Sequence, residues 1–135
     1  MYDVELSFTK QTDGTAYQTI TTTAASTNVI DLGTEGPFFE PAYLHIRVVE
    51  AFASSTSGAT LTVALQSDDD EDFPSAVSMG TPISAVEYTS LTAGYHKVIP
   101  MPIQDTEELL RLYFTASATM TSGTIVAYIN DSPEL

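Results

Sequence analysis

The residues of this 135-residue chain that could carry chemistry are few, and the most conspicuous are gathered in one acidic run, Ser67-Asp68-Asp69-Asp70-Glu71-Asp72. Hard cations such as calcium take six to eight oxygen ligands, and Asp68, Asp70 and Asp72 have the alternate spacing that opens a helix-loop-helix calcium loop. The match ends there. Phe73 occupies the sixth loop position, where glycine makes the turn, and Met79 the twelfth, where a bidentate glutamate belongs. The run therefore reads as a solvated loop, with cation binding at an interface as the alternative.

His45 and His96 are the chain's two imidazoles. A jelly-roll metal site needs histidines clustered with a carboxylate, and neither histidine has the other within ten residues. Both read as structural or solvated, with His45 on the face of its segment opposite the core. No Gly-x-Ser-x-Gly elbow exposes a serine nucleophile, and no phosphate-cradling glycine loop or dinucleotide fingerprint is present. The pair Glu107-Glu108 lies beside a loop with no sign of a pocket and gives no ground for glycosidase chemistry. The expectation is a protein with no catalytic residues, no metal and no cofactor.

The aromatic residues point to contact rather than catalysis. In Pro37-Phe38-Phe39-Glu40-Pro41 two adjacent phenylalanines sit in a proline-stiffened loop and cannot easily both turn inward. A stiff loop loses little entropy on docking, and large aromatics dominate interface energetics. Plugging the open end of the fold is the competing role. Tyr43, Tyr95, Tyr113 and Tyr128 fall opposite the apolar face of their segments or beside turns, where an apolar ring with a polar tip suits an interface or a sugar. The candidate capsid or subunit contacts are Tyr2, Phe8, Phe38, Phe39, Tyr43, Tyr113 and Tyr128.

These side chains must be positioned by β-structure. Twenty residues are threonine, whose branched β-carbon favours the pleated strand over the helix. Tyr2, Val4, Leu6 and Phe8 alternate with polar residues, the two-residue period of a strand with one buried face. The same period runs through Leu44, Ile46 and Val48, through Leu61, Val63 and Leu65, through Leu110, Leu112 and Phe114, and through Ile125, Ala127 and Ile129. The last two segments, separated by Thr121-Ser122-Gly123, read as a terminal hairpin. Residues 17–25 and 27–32 read as one bent strand or two short ones. Residues 81–88 and 95–101 are weaker candidates, and Pro82, Pro100 and Pro102 confine them to edges, strand ends or bulges. Short helical turns are expected at 73–79 and 105–109. Eight or nine short strands with almost no helix define an all-β class, an antiparallel sandwich of jelly-roll or immunoglobulin-like topology.

Length and charge bound the rest. A chain of this size fits one domain and buries a core without disulfides, and cysteine is absent. Eighteen acids against four bases give a charge of −14, which repels phosphate backbones and anionic headgroups and argues against nucleic-acid or membrane partners. The first residues lack a basic segment followed by an apolar run, so no secretory signal is expected. No apolar stretch approaches the ~20 residues needed to span a bilayer.

Three strings carry a resemblance. Ala24-Ala25-Ser26-Thr27-Asn28-Val29-Ile30-Asp31-Leu32-Gly33, Val49-Glu50-Ala51-Phe52 and Ala59-Thr60-Leu61-Thr62-Val63-Ala64-Leu65-Gln66-Ser67-Asp68 resemble the cement, or decoration, proteins of tailed-bacteriophage capsids of the Bordetella-phage type. Leu91-Thr92-Ala93-Gly94, Leu109-Leu110-Arg111-Leu112-Tyr113 and Ser122-Gly123-Thr124-Ile125-Val126-Ala127 follow in the family's order. The resemblance implies a jelly-roll β-sandwich over residues 23–135, preceded by an N-terminal arm or strand over 1–22. It further implies a homodimer or homotrimer on the exterior of the virion, bridging major capsid protein subunits. Outward aromatics of one sheet would then make the subunit contact, while the arm and the Phe38 loop reach the shell. A carbohydrate- or receptor-binding sandwich of a phage fibre is the alternative, and a jelly-roll enzyme is a third reading that lacks clustered ligands.

Overall fold

The computed structural model describes residues 7–9, 17–31, 43–68, 70, 72–100 and 109–130. Among the described residues nine strands follow in chain order: β1 (Gln18–Thr19), β2 (Ala24–Ala25), β3 (Ile30–Asp31), β4 (Tyr43–Ser54), β5 (Thr60–Asp68), β6 (Val77–Glu87), β7 (His96–Pro100), β8 (Leu109–Ala116) and β9 (Met120–Asn130). One turn of 3-10 helix, Tyr88–Ser90, joins β6 to β7. The strands form two antiparallel sheets, ordered β1-β9-β4-β7 and β2-β8-β5-β6, with β3 also on β8.

The pairing nests. β1 lies on β9, β2 and β3 on β8, β4 on β7, and β5 on β6. The chain is thus doubled back on itself and rolled into two layers, which is the jelly-roll arrangement. β2 and β3 act as one bent strand along β8. Ser26 bridges their interruption, its N–H donating to the Leu112 carbonyl at 2.7 Å and its Oγ accepting from the Leu112 N–H at 3.0 Å.

Period-2 alternation explains the core. Leu44, Ile46 and Val48 of β4, Leu61, Val63 and Leu65 of β5, Leu110, Leu112 and Phe114 of β8, and Ile125, Ala127 and Ile129 of β9 are all buried. They face one another between the sheets as a continuous apolar cluster, each full side-chain burial contributing about 1.5–3 kcal/mol. Every buried side-chain nitrogen and oxygen among the described residues has a hydrogen-bond partner.

The expected terminal hairpin does not form. β8 and β9 follow each other directly but lie in different sheets, β8 beside β5 and β9 beside β4. Both strands have one apolar face, and a sandwich satisfies both by placing them on opposite sides of the same core. Residues 73–79 make no helical turn either; the chain turns at 74–75 and enters β6 at Val77. The helical turn expected at 105–109 falls mostly outside the described residues, and Leu109 opens β8. The prolines behave as donor-less residues must: Pro82 lies in β6 and Pro100 in β7, each the outermost strand of its sheet.

Of the segment expected as an N-terminal arm or strand over 1–22, the described residues are held to the sandwich. Phe8 is wholly buried in the core cluster, its N–H donating to the Ala127 carbonyl at 2.9 Å and its carbonyl accepting from the Asn28 N–H at 2.9 Å. Ala127 returns its N–H to Thr9 Oγ1 at 3.2 Å, and Asn28 Nδ2 donates to the Ser7 carbonyl at 2.7 Å. Ile20 is buried and β1 pairs with β9. Short as these pairings are, they tie residues 7–9 and 18–20 to β9.

Candidate functional site

The outer face of the β1-β9-β4-β7 sheet carries the most distinctive polar and aromatic cluster. Antiparallel register sets His45 of β4 opposite Tyr128 of β9 and Val98 of β7, and sets Arg47 opposite His96. The imidazole of His45 therefore lies between two rings. It stacks on Tyr128 with centroids 5.0 Å apart and planes 3° apart, and on His96 at 5.3 Å and 20°. His45 Nδ1 and His96 Nε2 are 3.1 Å apart and hydrogen-bonded, one ring donating and the other accepting. His45 is fully buried although its strand position faces away from the core.

Burial holds the His96 pKa below its ordinary value, and the neighbouring His45 and Arg47 push it the same way. In the unfolded chain His96 returns to about 6.5. The unfolded state therefore takes up the proton first, so stability is level above about pH 7.5 and falls as the pH drops through 6.5. Thermal unfolding between about pH 7.5 and 5.5, above the carboxylate range, should show a falling midpoint that His96→Gln flattens. A midpoint independent of pH in the parent protein would remove the histidine pair as a source of the effect.

Beside this stack opens a groove of about 620 Å³ lined by Tyr17, Arg47, Val49, Gly94, Val126 and Tyr128, among others. Tyr17 and Val49 are 46% and 38% exposed, unusual for large apolar side chains in this fold. The walls come from β4, β9, the residue preceding β1 and the 93–94 turn, so the groove crosses the strands rather than following one.

The opposite sheet holds a second arrangement. The Arg111 guanidinium on β8 lies 4.3 Å from the Phe73 ring centroid and 5.3 Å from that of Tyr113, and its Nε donates to Gln66 Oε1 at 2.8 Å. Phe73 is buried there, outside the main core cluster, with a left-handed φ of 51°. This stacking anchors the acidic loop. Within the loop Asp68 is buried, its carboxylate accepting the N–H groups of Asp70 at 3.3 Å and Ser75 at 2.8 Å. The Asp72 N–H donates to Asp70 Oδ1 at 2.9 Å. The carboxylates of Asp68 and Asp70 thus serve as turn acceptors, which is a structural use of part of the run.

The contact candidates divide accordingly. Tyr43 and Tyr128 are half-buried and share the outer face of the β4-β9 pair. Tyr113 is half-buried on the other sheet. Phe8 is a core residue and presents no surface: its ring lies in the core cluster, with Ser7 and Thr9 buried on either side of it. Tyr95 packs partly against the core instead of standing outward. Tyr2, Phe38 and Phe39 lie outside the described residues, as does the Glu107-Glu108 pair. Sequence spacing hid the His45–His96 pair and Arg47's place in the groove: 51 residues separate the histidines, and strand register alone joins them.

The fold places the chain among antiparallel jelly-roll β-sandwich proteins. It belongs to the Bbp16 family, whose model matches residues 15–129, and is a phage-type protein. No curated protein sequence matches it. Among solved structures, the crystal structure of the infectious bursal disease virus VP2 subviral particle is similar at 16% identity and a TM-score of 0.36, over 85% of this chain and 32% of that one. The chain thus spans about a third of the length of that structure's chain.

Proposed function

We propose that this protein is a capsid decoration protein of a tailed bacteriophage. It binds the outer surface of the major capsid protein lattice as a homo-oligomer and stabilises the shell without making or breaking any covalent bond. The observation that carries the reading is the family match, which runs from just before β1 to the end of β9 and so takes in nearly the whole sandwich. The fold suits the task. A jelly roll cross-linked by nested pairing is stiff, and a stiff scaffold making several modest contacts holds neighbours together through high effective concentration. A closed oligomer on a symmetry axis repeats those contacts. The charge of −14 fits a surface away from packaged DNA.

A sugar-binding module would set carboxylates and amides beside its rings. The described lining of the groove offers an arginine, valines and tyrosines instead. Co-sedimentation with purified shells lacking the protein tests the reading: saturable binding, with shells that then withstand higher temperature, is expected. Absence of binding together with hits on a glycan array would replace it with the fibre-module alternative.

A further inference from the structure

We propose that the groove on the outer face of the β1-β9-β4-β7 sheet is a docking site for an extended, mostly apolar segment of a partner protein, with one partner carboxylate paired to Arg47. The partner's identity as the major capsid protein rests on the function proposed above; the groove's chemistry does not. The Arg47 side chain is exposed at the groove, and among the described residues its guanidinium has no hydrogen-bond or ion-pair partner. The chain has four cationic residues, Lys10, Arg47, Lys97 and Arg111. Arg111 is engaged with Gln66, Phe73 and Tyr113. Arg47 and the exposed Lys97 lie on hydrogen-bonded neighbours, β4 and β7. Lys97 pairs with the core-facing Ile46 and so stands on the other face of the sheet, which leaves Arg47 as the cation in the described lining of the groove.

Charge complementarity selects the occupant. A guanidinium presents a planar fork of donors that matches a carboxylate bidentately. Tyr17, Val49 and Val126 offer apolar walls on either side, suited to the backbone and aliphatic side chains flanking that carboxylate. Polyphosphate chains and anionic bilayers carry negative charge too, but the acidity of the rest of the surface repels an extended polyanion. A mostly apolar stretch of polypeptide with a single carboxylate places its charge at Arg47 alone. It also covers Tyr17 and Val49, whose apolar surface is otherwise left in water.

Two measurements test the site. In the first, isotope-labelled protein is titrated with a short valine-rich peptide carrying one glutamate. Amide shifts are expected around Arg47, Val49, Gly94 and Val126, absent with the peptide that has lysine in place of that glutamate and absent in Arg47→Glu. No shifts there, or shifts retained in Arg47→Glu, would overturn the site. In the second, shell binding is compared for the parent, Arg47→Glu and Arg47→Lys, all with matched unfolding midpoints as a check on folding. Arg47→Glu should bind at least about thirtyfold more weakly, and Arg47→Lys, which keeps charge but loses the fork, should fall between. If the parent binds shells and Arg47→Glu binds equally well, the docking site is wrong and the decoration role survives. If the peptide maps to the groove but the parent ignores shells, the site stands and the decoration role falls.

Discussion

Phe8→Ala should lower unfolding free energy by about 3–5 kcal/mol, the usual cost of removing a fully buried phenylalanine and leaving a cavity. Against a total of about 5–15 kcal/mol for a domain, that is a large share. The ring is wholly buried in the cluster that fills the sandwich. Its backbone is held on both sides, by Ala127 and by Asn28, so the site cannot collapse without breaking the pairing of β9 with the N-terminal segment. Urea unfolding gives the measurement. A residue that served the shell as a surface anchor would show the opposite pattern, unchanged stability with lost shell binding, and that pattern would refute the placement of Phe8 in the core. Phe8→Leu should recover most of the loss, because the volume change is smaller.

Gly123→Ala should cost about 2–4 kcal/mol through backbone strain and steric displacement together. Gly123 has φ +142°, a conformation rarely adopted by residues with side chains, and an alanine Cβ would sit 2.6 Å from Cγ of Phe52. The Phe52 ring cannot step aside freely. It is buried, and its own N–H donates to the Leu91 carbonyl at 2.9 Å, tying β4 to the chain just after the 3-10 turn. The register of β4 against β9 shifts in this same stretch, between Val48 and Glu50 and again between Glu50 and Ala53. Glycine lets the bulged strand close over an aromatic ring. The double mutant Phe52→Ala, Gly123→Ala should be less destabilised than the sum of the single changes, since the first removes what the second strikes. Additive losses in a thermal-unfolding cycle would show that the two positions do not meet.

The apolar alternation of β4, β5, β8 and β9 was legible because each strand has one dry face, and that pattern is local. Prolines at 82 and 100 marked edge strands for an equally local reason, the missing donor. The hairpin expected from β8 and β9 was misread because a turn between two alternating segments looks alike whether the chain returns to the same sheet or crosses to the other. Phe8 was read as a possible contact because its segment stands next to the N-terminus, although its own alternation already placed it with Val4 and Leu6. The acidic run reads as a solvated loop, yet Asp68 closes β5 and is buried, since nothing in five consecutive acids says which one the backbone will surround with N–H groups.

By itself, then, the order of amino acids determined that this chain would be all-β, which side chains of each long strand would be dry, and that its surface would be strongly acidic. These follow from period, branching and charge, which are properties of neighbours along the chain. Tertiary structure alone decided that β8 and β9 part into different sheets, that His45 meets His96 and Tyr128, and that Arg47 stands in the groove of the outer sheet face. Each of those depends on which strands pair and in what register, and a shift of one residue would have turned every one of those side chains to the other face.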